Sequence, residues 1–203
     1  MGKAARQPAT YDDVLNAPPN KVAEIIEGEL ILSPRPAGPH SQAETVLIGE
    51  LEPAFNRGRG GPGGWIILAE PELHLGKNVL VPDLAGWRRE TMSVIPRKPA
   101  YFTIRPDWVC EVLSPSTERI DRGAKVALYA AAGVSLAWLV NPLLHTLEVL
   151  RLSADTPGQW TSMAVFGDEA RVRAEPFDAI EVELAALWQD VEPDLGSGGL
   201  PSP

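Results

Sequence analysis

Two short apolar stretches of this 203-residue sequence each carry an acid where a core residue is expected. In VPDLAGW, residues 81–87, Asp83 follows a proline and precedes apolar residues. In WVCEVL, residues 108–113, Glu111 has apolar neighbours on both sides. An ionised carboxylate is costly to bury unless a cation or hydrogen-bond donors compensate it. Any fold of this chain must therefore supply a partner to each of two buried acids.

A divalent cation is one partner that would serve both acids. Two carboxylates on neighbouring strands raise each other's pKa unless a cation lies between them. Mg²⁺ or Mn²⁺ suits that position, because these ions take oxygen ligands and keep several waters. The pattern therefore indicates a metal site at Asp83 and Glu111, and the alternative is two structural ion pairs.

A second pair of charges lies further along the chain. Asp121 and Lys125 are four residues apart in a predicted helix and so share one of its faces. One interpretation is an exposed ion pair of little energetic consequence. The other places Lys125 over the end of the Glu111 strand, where its ammonium would orient a water or hold a phosphate oxygen.

The N-terminal third of the sequence predicts a hairpin followed by a helix. Residues 23–34 contain two short apolar runs around Gly28, which is typical of a hairpin turn. In the following segment, Ser41 and Glu44 have the spacing of a capping box. Pro53 is expected to end or kink the helix. Apolar residues recur every four positions along it, at Ala43, Leu47, Leu51 and Phe55.

The rest of the chain predicts more strands than helices. We expect strands at 65–76, 79–87, 107–114, 136–140, 146–152 and 160–166, a helix within 114–133 and a short helix within 180–188. The run at 136–140 is continuously apolar, which indicates burial on both faces. Gly133 is well placed to end the long helix, and Ser116 or Thr117 to begin it. This order predicts an α/β fold of the α+β kind, with a central mixed β-sheet flanked by helices.

Length and composition predict one folded domain. The chain is 44% hydrophobic and 22% charged, as in ordinary globular proteins. We expect a single domain at 11–192, a flexible N-terminus at 1–10 and a disordered Gly/Ser/Pro-rich tail at 193–203. Cys110 is the single cysteine, which excludes a disulfide framework within one chain. No signal peptide or membrane span is recognisable, so we expect a cytoplasmic protein with no membrane partner.

The net charge of −9 is unevenly distributed. Residues 167–203 carry nine acidic and two basic side chains, a net charge of −7 that leaves −2 for the rest. Residues 84–125 carry eight basic and five acidic side chains, a net charge of +3. Because a phosphate backbone responds to local charge, this segment is compatible with nucleic-acid binding, and the alternative is ordinary solvated charge.

Several motifs in a fixed order resemble the Uma-type family, which belongs by fold to the PD-(D/E)XK superfamily of restriction endonuclease-like nucleases. They are EIIEGELILSP, His40 at the start of a helix, VPD, and PDWVCEVLSPSTERIDRGAKVALYAAAGVSLAWLVNP. The resemblance covers about residues 11–190 and is strongest at 106–142. It implies a restriction endonuclease-like core.

The resemblance also implies an activity. Asp83 corresponds to the metal-binding aspartate of the superfamily and Glu111 to its second acid. We therefore expect a Mg²⁺-dependent (or Mn²⁺-dependent) endonuclease that hydrolyses phosphodiester bonds of DNA by in-line attack and leaves a 5′-phosphate. A homodimer is expected from the same resemblance.

The sequence departs from the family pattern at two positions. Leu113 stands where the motif has a lysine, and Lys125 is expected to replace it, positioned by Asp121. Asn141 stands before Pro142 where the family usually has aspartate. The first departure keeps two alternatives open: a catalytically inactive nuclease-fold module that binds nucleic acid or a protein, and a hydrolase of small phosphoesters with a closed pocket.

Weaker site predictions surround this core set. His40 is predicted as a second-sphere base or phosphate contact, and Glu44, one turn later, as a further metal ligand. Glu29 would reach the site from the hairpin. Ser114 and Ser116 are interpreted as loop and cap residues, because no base is positioned to activate them. Tyr129, one turn beyond Lys125, is interpreted as a packing residue. The six tryptophans are interpreted as core, with base stacking by Trp65 or Trp87 as the alternative.

Overall fold

Residues 7–192 are the part of the chain that the computed structural model describes. The predicted tail at 193–203 and residues 1–6 of the predicted flexible N-terminus lie outside it. The strands are β1 (Lys21–Ile26), β2 (Glu29–Pro34), β3 (Trp65–Ala69), β4 (Leu73–Leu75), β5 (Asn78–Leu80), β6 (Leu84–Arg88), β7 (Trp108–Val112), β8 (Leu136–Asn141), β9 (Thr146–Leu152), β10 (Trp160–Gly167), β11 (Arg171–Val172) and β12 (Val182–Glu183). The helices are α1 (Tyr11–Leu15), α2 (Gly38–Leu51), α3 (Glu118–Ile120), α4 (Val126–Ala132) and α5 (Ala185–Trp188).

A six-stranded mixed sheet forms the centre, in the order β10-β9-β8-β7-β6-β3. Strands β7 and β8 are parallel and the other neighbours are antiparallel. Helices α3 and α4 lie in the connection between β7 and β8, as a parallel crossover requires. A smaller sheet, β2-β1-β5-β4, is antiparallel, and β11 pairs with β12. The predicted mixed sheet flanked by helices is confirmed.

The two faces of the central sheet pack against different elements. Trp108, Cys110 and Val112 of β7 face the cluster that contains Leu47 of α2 and the C-terminal segment. Val109 and Leu113 face the cluster that contains Tyr129 of α4 and residues of the small sheet. Because side chains alternate along a strand, Glu111 lies on the second face, toward α4. Burial of every residue of β8 confirms the prediction that its apolar run is covered on both faces.

Two predicted long strands are each divided in the structure. The predicted strand at 65–76 becomes β3 and β4, and that at 79–87 becomes β5 and β6, with a Gly76–Lys77 turn between β4 and β5. The breaks fall at Pro71 and Pro82, whose nitrogens cannot donate to a sheet ladder. The chain therefore leaves the central sheet after β3, forms a hairpin of the small sheet, and returns at β6.

The first long helix begins earlier than predicted. Its N-cap is Ala37 and Pro39 lies in the first turn, where a missing N–H is tolerated. Ser41 donates its backbone N–H to Ala37 within the helix, so the predicted capping box of Ser41 and Glu44 is wrong. A π-helical turn at Glu52–Asn56 continues the helix around Pro53, as the predicted kink anticipates. A second π-helical turn, at Asp121–Lys125, joins α3 to α4.

Several other local predictions are confirmed. The hairpin of β1 and β2 turns at Glu27 and Gly28, and Gly28 has a φ of 84°. Gly133 ends α4 with a φ of 80°, a left-handed conformation that glycine adopts without strain. Trp65 and Trp87 are buried in the core, so neither offers a free ring face for base stacking. None of the helices in residues 7–192 has the length and apolar character that crossing a bilayer requires.

Candidate active site

The two acids in apolar stretches face the same cavity. Residue Leu84 pairs with Cys110 across the antiparallel β6 and β7, so extending the register by one residue places Asp83 opposite Glu111. Both side chains line a cavity of about 350 Å³ between the central sheet, the small sheet and the segment after β7. The cavity is also lined by His40, Asp121 and Lys125. The structure thus brings the five principal predicted residues together.

Glu111 is a buried carboxylate with both oxygens engaged. Its side chain is 2% exposed. Lys125 Nζ donates to Oε2 over 2.9 Å, and the Tyr129 hydroxyl donates to Oε1 over 2.6 Å. The sequence prediction placed Tyr129 in packing alone. Its position one helical turn after Lys125 is what lets both donors reach the same carboxylate.

The carboxylate of Asp83, the residue before β6, is held by hydrogen bonds from two sides. The Val112 N–H donates to Oδ2 over 2.6 Å, and His40 Nε2 lies 2.9 Å from Oδ1. Because a carboxylate accepts hydrogen bonds, His40 carries the hydrogen on Nε2. Burial lowers the pKa of His40, but the hydrogen bond and charge of Asp83 outweigh burial and raise it above its usual value. His40 therefore fixes the Asp83 carboxylate, and Asp83 in turn favours the charged form of the imidazole.

Glu24 is a site residue that the sequence interpretation missed. It lies in β1, is 4% exposed and lines the same cavity. Its Oε1 accepts the Val81 N–H over 2.8 Å and lies 3.3 Å from Lys125 Nζ. The available signal was the one used for Asp83 and Glu111: Glu24 stands among apolar residues in VAEII, residues 22–26.

The helix after β7 brings Asp121 and Lys125 into the cavity together. The π-helical turn carries both residues, and both are buried. Lys125 Nζ lies 3.5 Å from Asp121 and 3.1 Å from the carbonyl oxygen of Val81. The ammonium thus has four acceptors around it: the carboxylates of Glu24, Glu111 and Asp121, and this carbonyl. The prediction that Lys125 extends toward Glu111, with Asp121 beside it, agrees with this geometry.

The cavity holds more negative than positive charge. Four largely buried carboxylates, those of Glu24, Asp83, Glu111 and Asp121, line it with Lys125 and His40. The more exposed Arg35 and Glu70 also line it and form a pair of opposite charges. Burial raises the pKa of Glu111 well above its usual range, and Lys125 offsets only part of that shift. Burial also raises the pKa of Asp121, again against the charge of Lys125. For Lys125 burial acts in the opposite direction, but the carboxylates, Glu111 first, raise its pKa well above the usual value. Lys125 stays charged, and the uncompensated charge falls on the carboxylates.

Of the remaining predicted residues, Glu44 and Glu29 lie outside the cavity, whereas Ser114 and Ser116 line it. Glu44 does not line the cavity, although burial and the charge of Asp83 raise its pKa to about 7. Glu29 is exposed at the start of β2 and does not line the cavity either. The Ser114 hydroxyl is 3.0 Å from that of Ser116 and 2.9 Å from that of Thr117. These contacts join hydroxyls to one another, which agrees with the loop interpretation.

The donor set fits a hard divalent cation. All four acids offer oxygen ligands, and their excess negative charge in a partly closed cavity is what such an ion would offset. Among residues 7–192, no three His, Cys, Asp or Glu side chains form a ready-made metal cluster. An ion held by Asp83 and Glu111 would therefore complete its coordination with water and substrate oxygens, as Mg²⁺ commonly does.

The mixed sheet, the paired acids and the nearby lysine define a protein of the restriction endonuclease-like class. The sequence matches the family model described as "Uma2: Putative restriction endonuclease" over residues 8–186, and the chain belongs to this family. A similar solved structure is titled "a putative nuclease belonging to DUF820" from Anabaena variabilis ATCC 29413. It has 25% sequence identity and a TM-score of 0.70, and the match covers 89% of this chain and 98% of that one. No curated protein matches the sequence.

Proposed function

We propose that this protein is a Mg²⁺-dependent endonuclease that hydrolyses phosphodiester bonds of DNA. The observation that carries the proposal is the convergence of Lys125 with Asp83 and Glu111 in one cavity, 2.9 Å separating Lys125 Nζ from Glu111 Oε2. Family membership supports a nuclease-like function at the coarser level. A homodimer, in which two sites face two strands, is part of the proposal.

Each residue has a separate task in the proposed reaction. Asp83 and Glu111 would hold the cation, which activates a bound water and offsets charge on the phosphate when present. Lys125 would offset part of the burial that raises the pKa of Glu111, and would place a positive charge beside the phosphate oxygens. Asp121 and Glu24 hold the Lys125 ammonium in place, and His40 fixes the Asp83 carboxylate. In this scheme Lys125 contributes a buried positive charge from within the cavity.

A second candidate, a catalytically inactive nucleic-acid-binding module, has one observation in its favour. Lys125 has three N–H hydrogens, and the four acceptors around it can use all of them. A lysine that is fully occupied in this way has no hydrogen left for a substrate oxygen. In the endonuclease, a substrate oxygen would take the place of one of these acceptors, or a metal would bind one of the carboxylates in place of Lys125. In the inactive module neither exchange occurs. An activity assay distinguishes the two candidates.

Metal binding is the first measurement that tests the proposal. We expect calorimetry with Mg²⁺ and Mn²⁺ to show binding to the wild type and none to Asp83→Ala. Glu29→Ala, an exposed acid outside the cavity, should bind like the wild type. Cleavage of single- and double-stranded DNA should follow the same pattern. If the wild type binds neither metal even with DNA present, the two acids are structural and the binding-module candidate replaces the enzyme.

Lys125→Met separates metal binding from catalysis. The side chain is similar in length and apolar, so it removes the charge and leaves the packing nearly unchanged. We expect cleavage to be lost while calorimetric metal binding persists, with circular dichroism confirming the fold. Full cleavage by the variant would show that Lys125 has no part in the reaction.

A further inference from the structure

A second cavity lies directly beside the candidate active site. Its volume is about 560 Å³, and Ser114 and Pro115 line both cavities. The far side is formed by the turn after β8, where Leu143 and Leu144 are 50% and 68% exposed. The two cavities are therefore neighbours that share the loop segment of Ser114 and Pro115 as a wall.

Asn141 supplies an unpaired donor to this second cavity. The side chain is 5% exposed and belongs to the cavity wall. Its Oδ1 accepts the N–H groups of Leu143 and Leu144 over 3.0 and 2.9 Å, which fixes the orientation of the amide. Its Nδ2 has no hydrogen-bond partner in residues 7–192. Within that range, the only fully buried side-chain nitrogen or oxygen without a partner is Trp108 Nε1. Asn141 therefore contributes to the cavity wall an amide N–H group that is available to an acceptor on a ligand.

The charges around the cavity disfavour a phosphate as that acceptor. Within the described part of the chain its lining contains the acids Glu118 and Glu192 and one histidine, His145, but no lysine or arginine. The remaining walls are largely apolar, formed by Leu113, Pro115, Pro142 and the two exposed leucines. A neutral, flat ligand with an apolar face and a carbonyl oxygen fits this combination. A nucleobase has these properties, whereas a sugar-phosphate unit does not.

We propose that the second cavity binds one nucleobase of the strand whose phosphate lies in the candidate active site, with Asn141 Nδ2 donating to a base carbonyl. The inference rests on the proposed function, because it takes a nucleic-acid strand as the ligand. Thymine, cytosine and guanine offer a carbonyl, and adenine does not. The cavity makes one base of the substrate a specificity element next to the cleaved bond.

Binding of short oligothymidylates tests the inference without cleavage. The probes are a pentathymidylate and five versions that each lack one base, measured in Ca²⁺ to prevent turnover. We expect the wild type to bind the intact probe about 10-fold more tightly than the version lacking the critical base, and to tolerate abasic sites elsewhere better. Asn141→Asp keeps the acceptor for the two turn N–H groups and removes the Nδ2 donor. It should bind the intact and abasic probes with equal affinity.

The controls separate this inference from the proposed function. Asn20→Asp makes the same chemical change at an exposed position outside both cavities, and should retain the 10-fold preference. Equal affinity of the wild type for all probes, no binding at all, or an unchanged preference in Asn141→Asp would each overturn the inference. Failure of the proposed function has a different signature: the wild type would not cleave DNA with Mg²⁺, while the base preference in Ca²⁺ would remain.

Discussion

At the scale of single residues, Lys125 determines whether the cavity can hold its charge. Removing one partner of a buried ion pair leaves an uncompensated charge and costs about 3–5 kcal/mol. Lys125 serves Glu111, Glu24 and Asp121 at once, so its loss exposes three carboxylates to one another. The same excess of acids makes the site receptive to a cation. The same carboxylates therefore lower the stability of the metal-free protein and raise its affinity for a metal ion.

Glu44, which lies outside the cavity, makes the effect of the nearby negative charge on stability measurable through pH. Its folded-state pKa of about 7 lies above its ordinary value of 4.5, because burial and the charges of Asp83 and Glu70 disfavour the ionised form. A raised carboxyl pKa gives stability that is fully present below pH 4.5 and is lost as pH rises through 7. In chelating buffer, Glu44→Gln should therefore gain stability relative to the wild type over this window. We expect about 1 kcal/mol, since the carboxyl is half buried and water screens part of the shift.

Urea denaturation at pH 4.5, 6 and 8 checks this expectation. Glu29→Gln makes the same substitution at an exposed position of the hairpin and reports the effect of the mutation itself. A stability difference between Glu44→Gln and wild type that stays constant across the window would contradict the prediction.

The sequence alone identifies site residues whose side chains are unusual for their surroundings. Asp83 and Glu111 were identifiable because acids are rare in apolar strands, and the register then places them face to face. Glu24 has the same signature in a shorter run, but its role depends on β1 approaching Val81, which is 57 residues away. Tyr129 was interpreted as packing because nothing local shows that its hydroxyl meets Glu111. Contacts between distant segments are what the local pattern lacks.

At the scale of elements, the helix after β7 determines where Asp121 and Lys125 lie. It is continuous from Glu118 to Ala132, with one π-helical turn in the middle, and ends at Gly133. Gly123 lies within the π-helical turn, and a Cβ added there would meet nothing within 4 Å. Glycine in a helix interior costs about 0.5–1 kcal/mol relative to alanine. The turn that presents the lysine is therefore locally the weakest part of this helix.

Two glycine substitutions in this helix should have opposite signs. Gly123→Ala should stabilise the protein by about 0.5–1 kcal/mol, because it lowers the entropy of the unfolded chain without a clash. Gly133→Ala should destabilise it by about 1–2 kcal/mol, because a side chain is strained at a φ of 80°. Urea denaturation measures both. Destabilisation by Gly123→Ala would show that the π-helical turn itself requires glycine.

The boundaries of the elements were predicted less well than their existence. The hairpin of β1 and β2, strands β7 to β10 and the end of α4 agree with the predictions. The divided strands at Pro71 and Pro82 do not, because a proline in an apolar run permits either a strand end or a continued edge strand. Which occurs depends on the second sheet that covers the face of the first. A local pattern carries no information about that second sheet.

At the scale of the whole molecule, only part of the basic segment at 84–125 is neutralised within the fold. Lys125 is buried among acids, Arg122 pairs with Glu118 and Glu148, and Arg105 lies 3.7 Å from Asp107. Three of the eight basic side chains are thus neutralised within the fold. The exposed Arg88, Arg89, Arg97 and Lys98 lie outside the candidate active site, so the net charge of +3 does not describe what a phosphate bound in that site would meet.

Binding of single-stranded DNA should accordingly depend only weakly on salt. Within the described residues, Arg35 and Lys125 are the basic side chains that line the candidate active site beside His40, and Arg35 lies at its open side, 56% exposed. Each phosphate neutralised on a single strand contributes about −0.7 to the slope of log K against log salt, so we expect a slope no steeper than about −2. Arg35→Ala should reduce its magnitude by about 0.7, whereas Lys77→Ala, in the exposed turn between β4 and β5, should leave it unchanged. Fluorescence titration at salt concentrations between 50 and 200 mM, a range of ~4-fold, measures this slope. A slope of about −6 would instead require contacts with an extended basic surface outside the cavity, such as the exposed Arg88, Arg89, Arg97 and Lys98.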